Sequence, residues 1–213
     1  FSGLIVSKVY TLKENVPALF VEHKLENRST APITAGIWST NFFRTSGALP
    51  ERNTYFTPTE EGVKEITHPG VEATPDGVWT FNSVSNWKGV VGDTTKSGMA
   101  VIFEEKHISS FLDWFSTSDN IATFEWVIKQ HQIKPAETFK TTYVMAPIIN
   151  IGRIDGVVGD RIAAGIEFTP KKVATGKEVE ITYRLYNYEN EDIEAKVRLK
   201  NGNKVIKENP PKK

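Results

Sequence analysis

Residues Leu19 to Arg44, LFVEHKLENRSTAPITAGIWSTNFFR, constrain this chain more than any other stretch. Leu19, Val21, His23 and Leu25 alternate with Phe20, Glu22, Lys24 and Glu26. A period of two marks a strand with one buried face. Asn27-Arg28-Ser29-Thr30-Ala31-Pro32 then supplies turn chemistry, because Asn and Ser bond their own backbone and Pro cannot continue a ladder. A second strand over Ile33 to Phe43 carries Trp38, Phe42 and Phe43. The pattern predicts a hairpin, and three large rings in so short a segment mean a heavy core contribution or a stacking surface.

The rest of the chain repeats the theme. LIVSKVYTL at Leu4 to Leu12 reads as a strand, and so do Val78 to Phe81, Trp87 to Val91, Met99 to Phe103, Phe111 to Ser116, Thr123 to Gln130 and Thr138 to Met145. Ser46 to Gly77, with four prolines and four glycines, reads as a long excursion holding short strands near Asn53–Thr57 and Gly62–Ile66. Ile148 to Ile162 is the most helix-like segment, weakened by Gly152, Gly156 and Gly159. The expected fold class is all-β: a twisted antiparallel sandwich over residues 1–150 and a small β unit over residues 160–213. Within that unit EVEITYRLYN alternates cleanly, Ile193 to Leu199 alternates again, Asn201-Gly202 signals a hairpin, and a polar Pro-rich tail closes the chain. So few strands belong to part of an immunoglobulin-like domain or pack on the first unit.

Composition excludes several roles. Lys plus Arg equals Asp plus Glu at 26 each among 213 residues, without the basic excess a nucleic-acid binder needs. No apolar run reaches the roughly 20 residues of a membrane span. The absence of cysteine removes disulfides, thiol nucleophiles and Cys-bound metals. The start at Phe1 reads as a processed or excised chain, and the Lys/Glu content with few Met fits a thermophilic source. Asn27-Arg28-Ser29 is a glycosylation sequon in a polar turn.

The Leu19–Arg44 segment resembles galactose-mutarotase-like proteins. The residues that carry the resemblance are Leu25-Glu26-Asn27, Pro32, Gly36, Trp38 and Phe42-Phe43-Arg44. Further on, Ile133-Lys134-Pro135-Ala136-Glu137 is similar to that family's closing Leu-any-Pro-Gly-Glu turn, followed by Thr142-Tyr143-Val144-Met145 as a last strand. Over Leu4 to Pro147 the resemblance implies a β-supersandwich. It also implies a departure: the family's acid, a His just before the aromatic pair, falls at Thr40, whose hydroxyl does not titrate near neutral pH. The family's late Glu has only Glu125 and Glu137 as near counterparts. The resemblance therefore implies the fold without the mutarotase chemistry.

Sugar recognition requires aromatic platforms with planar hydrogen-bonding groups beside them, because a sugar ring has an apolar C–H face and a rim of hydroxyls. The candidates are Trp38, Trp79, Trp87 and Trp114, with Asn41, Arg44, Asn82, Asn86 and Asp113 as polar partners. Taken singly, each tryptophan reads first as a core residue, since most tryptophans of β domains lie there. No metal and no cofactor are expected: His23, His68, His107 and His131 lack ligand spacing, Glu105 and His107 share a strand face at most, and Asp155 and Asp160 fit no calcium loop. Paired-carboxylate hydrolysis would draw on Asp113, Asp119, Glu104 and Glu125.

Three functions follow. The first is a non-catalytic module of a larger exported or cell-surface protein, binding carbohydrate or a protein surface and joined to other domains of a longer chain. The second is a divergent carbohydrate-active enzyme, an epimerase, lyase or hydrolase, which requires a carboxylate or His facing Trp38, Thr40 and Arg44. The third is a structural assembly protein whose charged strands guard its edges.

Overall fold

The structure is a computed structural model that describes residues 3–45, 52–69, 77–81, 83–104, 107–116, 121–169, 177–189, 191–201 and 204–212. In chain order the strands are β1 (Leu4–Lys13), β2 (Val16–Asn27), β3 (Ile33–Asn41), β4 (Asn53–Thr59), β5 (Gly62–His68), β6 (Val78–Phe81), β7 (Trp87–Gly92) and β8 (Gly98–Phe103). They continue as β9 (Ile108–Ser116), β10 (Ile121–Ile133), β11 (Thr138–Ile148), β12 (Gly156–Val158), β13 (Ile162–Thr169), β14 (Glu180–Asn187), β15 (Ala195–Asn201) and β16 (Lys204–Lys212). The all-β expectation holds. Every strand pairing is antiparallel, in a seven-stranded sheet β1-β2-β11-β8-β7-β4-β5 and a four-stranded sheet β3-β10-β9-β6. A three-stranded sheet β12-β13-β14 and a hairpin β15-β16 complete it.

The two large sheets close on one core. Val21, Tyr55, Val90, Val101, Phe103 and Tyr143 of the seven-stranded sheet meet Phe111, Phe115, Phe124, Trp126 and Ile128 of the four-stranded one. Strands β4 and β7 are buried on both faces. Their other side belongs to a second core, in which Phe56, Trp87, Val91, Ile102, Ala146 and Ile148 pack on Ile151, Ile154, Ala163 and Tyr188 from the C-terminal part of the chain. The inner strands of the seven-stranded sheet are thus a middle layer, covered on one side by the four-stranded sheet and on the other by Ile151, Ile154, Ala163 and Tyr188, while β1 lies exposed at the edge.

The predicted Leu19–Arg44 hairpin is not one. Both strands exist, but β2 pairs with β1 and β11, whereas β3 pairs with β10 in the opposite sheet. Residues 28–32 form an arch across the sandwich. Alternation looks the same in both cases, since a strand buries one face whether its partner lies beside it or across the core. The corner is set by Asn27, whose side chain is wholly buried. Its Nδ2 donates to Ala31 O and Ile133 O at 2.8 Å each, and its Oδ1 accepts from Ser29 N at 2.8 Å and Ser29 Oγ at 2.7 Å. Both amide hydrogens are committed and no surface remains, so the sequon is closed to glycosylation.

Two other expectations change. Ile148 to Ile162 contains no helix: it crosses the second core through Ile151 and Ile154 and makes the short strand β12. The tail continues as strand β16 against β15. The Ser46–Gly77 excursion holds β4 and β5 where short strands were expected, while its residues 46–51 and 70–76 lie outside the described set.

The turn before β11 carries a strained residue. Ala136 has φ 62°, and its N–H donates to Asn27 O at 2.8 Å while Asn27 N donates to Glu137 O at 3.0 Å. An L-residue in this left-handed region is disfavoured by about 1 kcal/mol relative to glycine. Ala136→Gly is therefore expected to stabilise the fold by up to about 1 kcal/mol in chemical denaturation, with a loss of stability counting against the strain.

His23, 5% exposed, places Nε2 3.3 Å from the Tyr143 hydroxyl. Burial, assisted by the charge of Lys8 opposite it, pushes the imidazole down to about 4 from its usual 6.5. The unfolded chain binds the proton first as pH falls, so stability is lost between about pH 6.5 and pH 4. The loss is about 2 kcal/mol, below what the whole shift would give because the neighbouring strand β1 faces water. Equilibrium unfolding of His23→Gln is expected to be flat across that window; an unchanged slope would assign the dependence elsewhere.

Candidate functional site

Register places the chemistry on the outer face of the four-stranded sheet. Glu125 of β10 lies opposite Thr40 of β3 and Leu112 of β9, and Leu112 lies opposite Trp79 of β6. Opposed residues of antiparallel strands share a face, so these four point the same way, and residues two further along, Trp38, Phe81, Trp114 and Thr123, join them. Trp38 and Trp79 meet edge to face with centroids 5.6 Å apart, and Trp79 stacks on Phe81 at 5.5 Å with planes 4° apart. Trp38 is 59% exposed and Phe81 64%, an apolar row turned to solvent. Beside it a cleft of about 620 Å³ runs between Trp79-Thr80-Phe81 and residues 59–64, whose polar members include Thr59, Glu60, Glu61 and Lys64.

The base of the row is a carboxylate. Glu125 is buried, and its Oε2 accepts from Trp38 Nε1 at 2.5 Å and Thr40 Oγ1 at 3.0 Å. Its Oε1 accepts from Thr123 Oγ1 at 2.5 Å, and Trp114 N donates to that hydroxyl at 3.3 Å. The Glu125 main-chain carbonyl faces the other way, into the core, where Lys88 Nζ approaches it at 3.3 Å. Trp38 is thus held by its nitrogen while most of the side chain stays exposed.

The sequence candidates divide. Trp38 and Trp79 come together, with Trp114 half-buried on the same face. Trp87 is a correction: at 2% exposure it belongs to the second core, because its strand is the middle of three layers and the face opposite Lys88 is covered by Ile154 and its neighbours. Asn41 sits on the opposite face of β3 from Trp38, where its amide donates to Phe124 O at 3.2 Å. Arg44 is exposed beyond the end of β3, and Asn82 lies outside the described residues. Asn86 braces Phe103 O and Asp160, and Asp113 is buried beside Lys88, so neither serves the row. Asp119 and Glu105 lie outside the described residues. Glu104 bonds Thr142 and His107, and Asp155 bonds Arg153 and the Ile166 N–H, so each of these carboxylates already has a local partner. Among the described residues no three His, Asp or Glu side chains converge as a cation site.

One participant and one set of contacts were missed. Phe81 follows Trp79 at the strand period, a signal the sequence carried. The tie from Trp38 and Thr40 to Glu125 spans more than 80 residues and depends on β3 lying beside β10, which no local pattern reveals.

No family model matches the sequence, and no curated protein matches it. Solved structures do. The Slr1438 protein from Synechocystis sp. PCC 6803 is similar at a TM-score of 0.52 and 10% identity, over 68% of this chain and 55% of that one. A putative aldose 1-epimerase from Escherichia coli K12 follows at 0.48 and 9%, over 68% and 60%. A galactose mutarotase related enzyme from Lactobacillus acidophilus follows at 0.42 and 11%, over 68% and 62%. The chain thus spans somewhat more than half the length of these proteins. Likeness at such identities speaks for the fold alone, and of the three only the Slr1438 protein, at a TM-score above 0.5, is near enough to carry that.

Removing the carboxylate tests the tether. In Glu125→Ala the Trp38 indole N–H, hydrogen-bonded in the parent, is expected to exchange rapidly in nitrogen-edited NMR spectra, with a stability loss of about 2 kcal/mol for three donors left without their acceptor. Unchanged exchange would show that Trp38 is not held through Glu125.

Proposed function

We propose that this chain is a carbohydrate-binding β-sandwich module of a larger exported or cell-surface protein, with the sugar seated on Trp38, Trp79 and Phe81. The observation that carries the reading is the exposed Trp38 ring locked by a buried carboxylate. A tryptophan serving stability alone turns its large apolar face inward. Here the buried end of the side chain is the polar one, and the ring is offered to solvent next to two more rings. A sugar ring stacks its C–H face on such a row, and the hydroxyl rim then meets the polar wall of the adjoining cleft, where Thr59, Glu60, Glu61 and Lys64 supply donors and acceptors.

A second reading keeps one specific support. Glu125 is a carboxylate facing Trp38 and Thr40, two of the three residues expected to line the groove of a divergent carbohydrate-active enzyme, with Arg44 exposed beyond the end of β3. Binding is favoured over turnover because Glu125 is occupied by three of the chain's own donors. The other carboxylate weighed nearby, Asp113, projects to the opposite side of the sheet, and paired-carboxylate chemistry needs both groups on one substrate.

Tryptophan fluorescence of the full chain titrated with a panel of neutral and acidic oligosaccharides is the test. A saturable change is expected with at least one, and Trp79→Ala is expected to weaken that binding about tenfold, the worth of one aromatic platform. A flat response across the panel ends the sugar reading and moves the role to protein binding or assembly. Release of reducing ends or unsaturated product from the bound ligand would instead establish the enzyme.

A further inference from the structure

Strand β7 sends one side chain of the wrong kind into the main core. Lys88 is wholly buried, and Asp113 of β9, reaching from the opposite sheet, is 2% exposed. Nζ lies 2.7 Å from Asp113 Oδ1, yet that oxygen makes no contact with the angles of a hydrogen bond. The nitrogen's proper hydrogen bonds go to Leu112 O at 2.8 Å and Glu125 O at 3.3 Å. The rings of Phe124 and Phe111 flank it, with centroids 4.7 and 5.6 Å away. An amine is therefore held against a carboxyl group by two carbonyls and two aromatic walls.

As an ion pair this arrangement is costly, because both charges are stripped of water and the carboxylate gains poor hydrogen bonding in return. Burial pushes the Lys88 amine down and the Asp113 carboxyl up, each toward its uncharged form, while their mutual attraction opposes the shift.

We propose that Lys88 and Asp113 join through an intramolecular isopeptide bond. The Nζ lone pair attacks Cγ of the protonated Asp113 carboxyl. The Nζ–Cγ bond forms, the Cγ–OH bond breaks, and the hydroxyl leaves with a proton from nitrogen as water. No electrons change hands and no co-reactant is consumed. The held geometry substitutes for the encounter of two free molecules, and a bond made once per chain needs no rapid turnover. The product is neutral, its one N–H keeps the Leu112 carbonyl as acceptor, and the closed core withholds the water that would hydrolyse it. The link ties β7 of the middle sheet to β9 of the sheet that carries the aromatic row, and it is independent of what that row binds.

The intact mass of the full chain, measured under denaturing conditions after folding, tests this directly. The expected mass is lower than the sequence mass by one water, and protease digestion is expected to yield a branched peptide joining the Lys88 and Asp113 segments. Lys88→Arg is expected to restore the full mass. Asp113→Asn is expected to lose ammonia instead and reach the same final mass as the cross-linked parent. A parent protein at its full sequence mass overturns the proposal. So does a water loss that persists in Lys88→Arg, which would mark a backbone succinimide. Because the parent alone decides the first outcome, a variant that fails to fold does not shield the idea.

Discussion

Everything in this sandwich depends on the chain changing sheets at Asn27. A strand leaving one sheet for the facing one must carry its peptide groups through the core edge, where each unpaired donor or acceptor is costly. Asn27 meets that requirement with one side chain. Its amide closes the arch onto Ala31, reaches Ile133 at the end of β10, and captures Ser29, while its backbone pairs with the Ala136–Glu137 turn that begins β11. One residue therefore joins the exit of β2, the entry of β3, the end of β10 and the start of β11. Leu25, Ala35 and Ile133 pack beneath it as a small core of their own. With that corner set, β3 lies beside β10, and only then do Trp38 and Thr40 reach Glu125.

Strand content was legible, and for a physical reason. Alternation records burial on one face, and nearly every alternating segment became a strand within a few residues of its expected ends. Pairing was not legible, because alternation carries no information about which neighbour lies alongside. The same blindness explains the tryptophans. Trp79 and Trp87 sit in similar short strands with Asn and Ser around them, yet one lies on an outer face and the other in a sheet buried on both sides. The run Trp87-Lys88-Gly89-Val90-Val91 did carry a mark of double burial, since it lacks alternation apart from its lysine. Lys88 itself broke the rule that charged residues face water, and such a break is where sequence reasoning is expected to fail.

Two buried polar clusters sit back to back across β10. Lys88 holds the main chain of β10 from inside through the Glu125 carbonyl, and the Glu125 side chain holds Trp38 from outside. The sheet between them is flanked by aromatic rings on both faces, Phe111 and Phe124 within, Trp38 and Trp79 without. The exposed row is thereby tied, through Glu125, to the buried core of the molecule.

The middle sheet also imposes an order in time. Its outer face, with Phe56, Trp87, Ile102 and Ile148, is complete once β11 has been made, but its cover includes Ile151, Ile154, Ala163 and Tyr188. A ribosome adding about 5–20 residues per second needs a few seconds to produce that cover after Ile148. During that interval the apolar residues of that face wait for Ile151, Ile154, Ala163 and Tyr188, so the two cores of the molecule close one after the other along the chain.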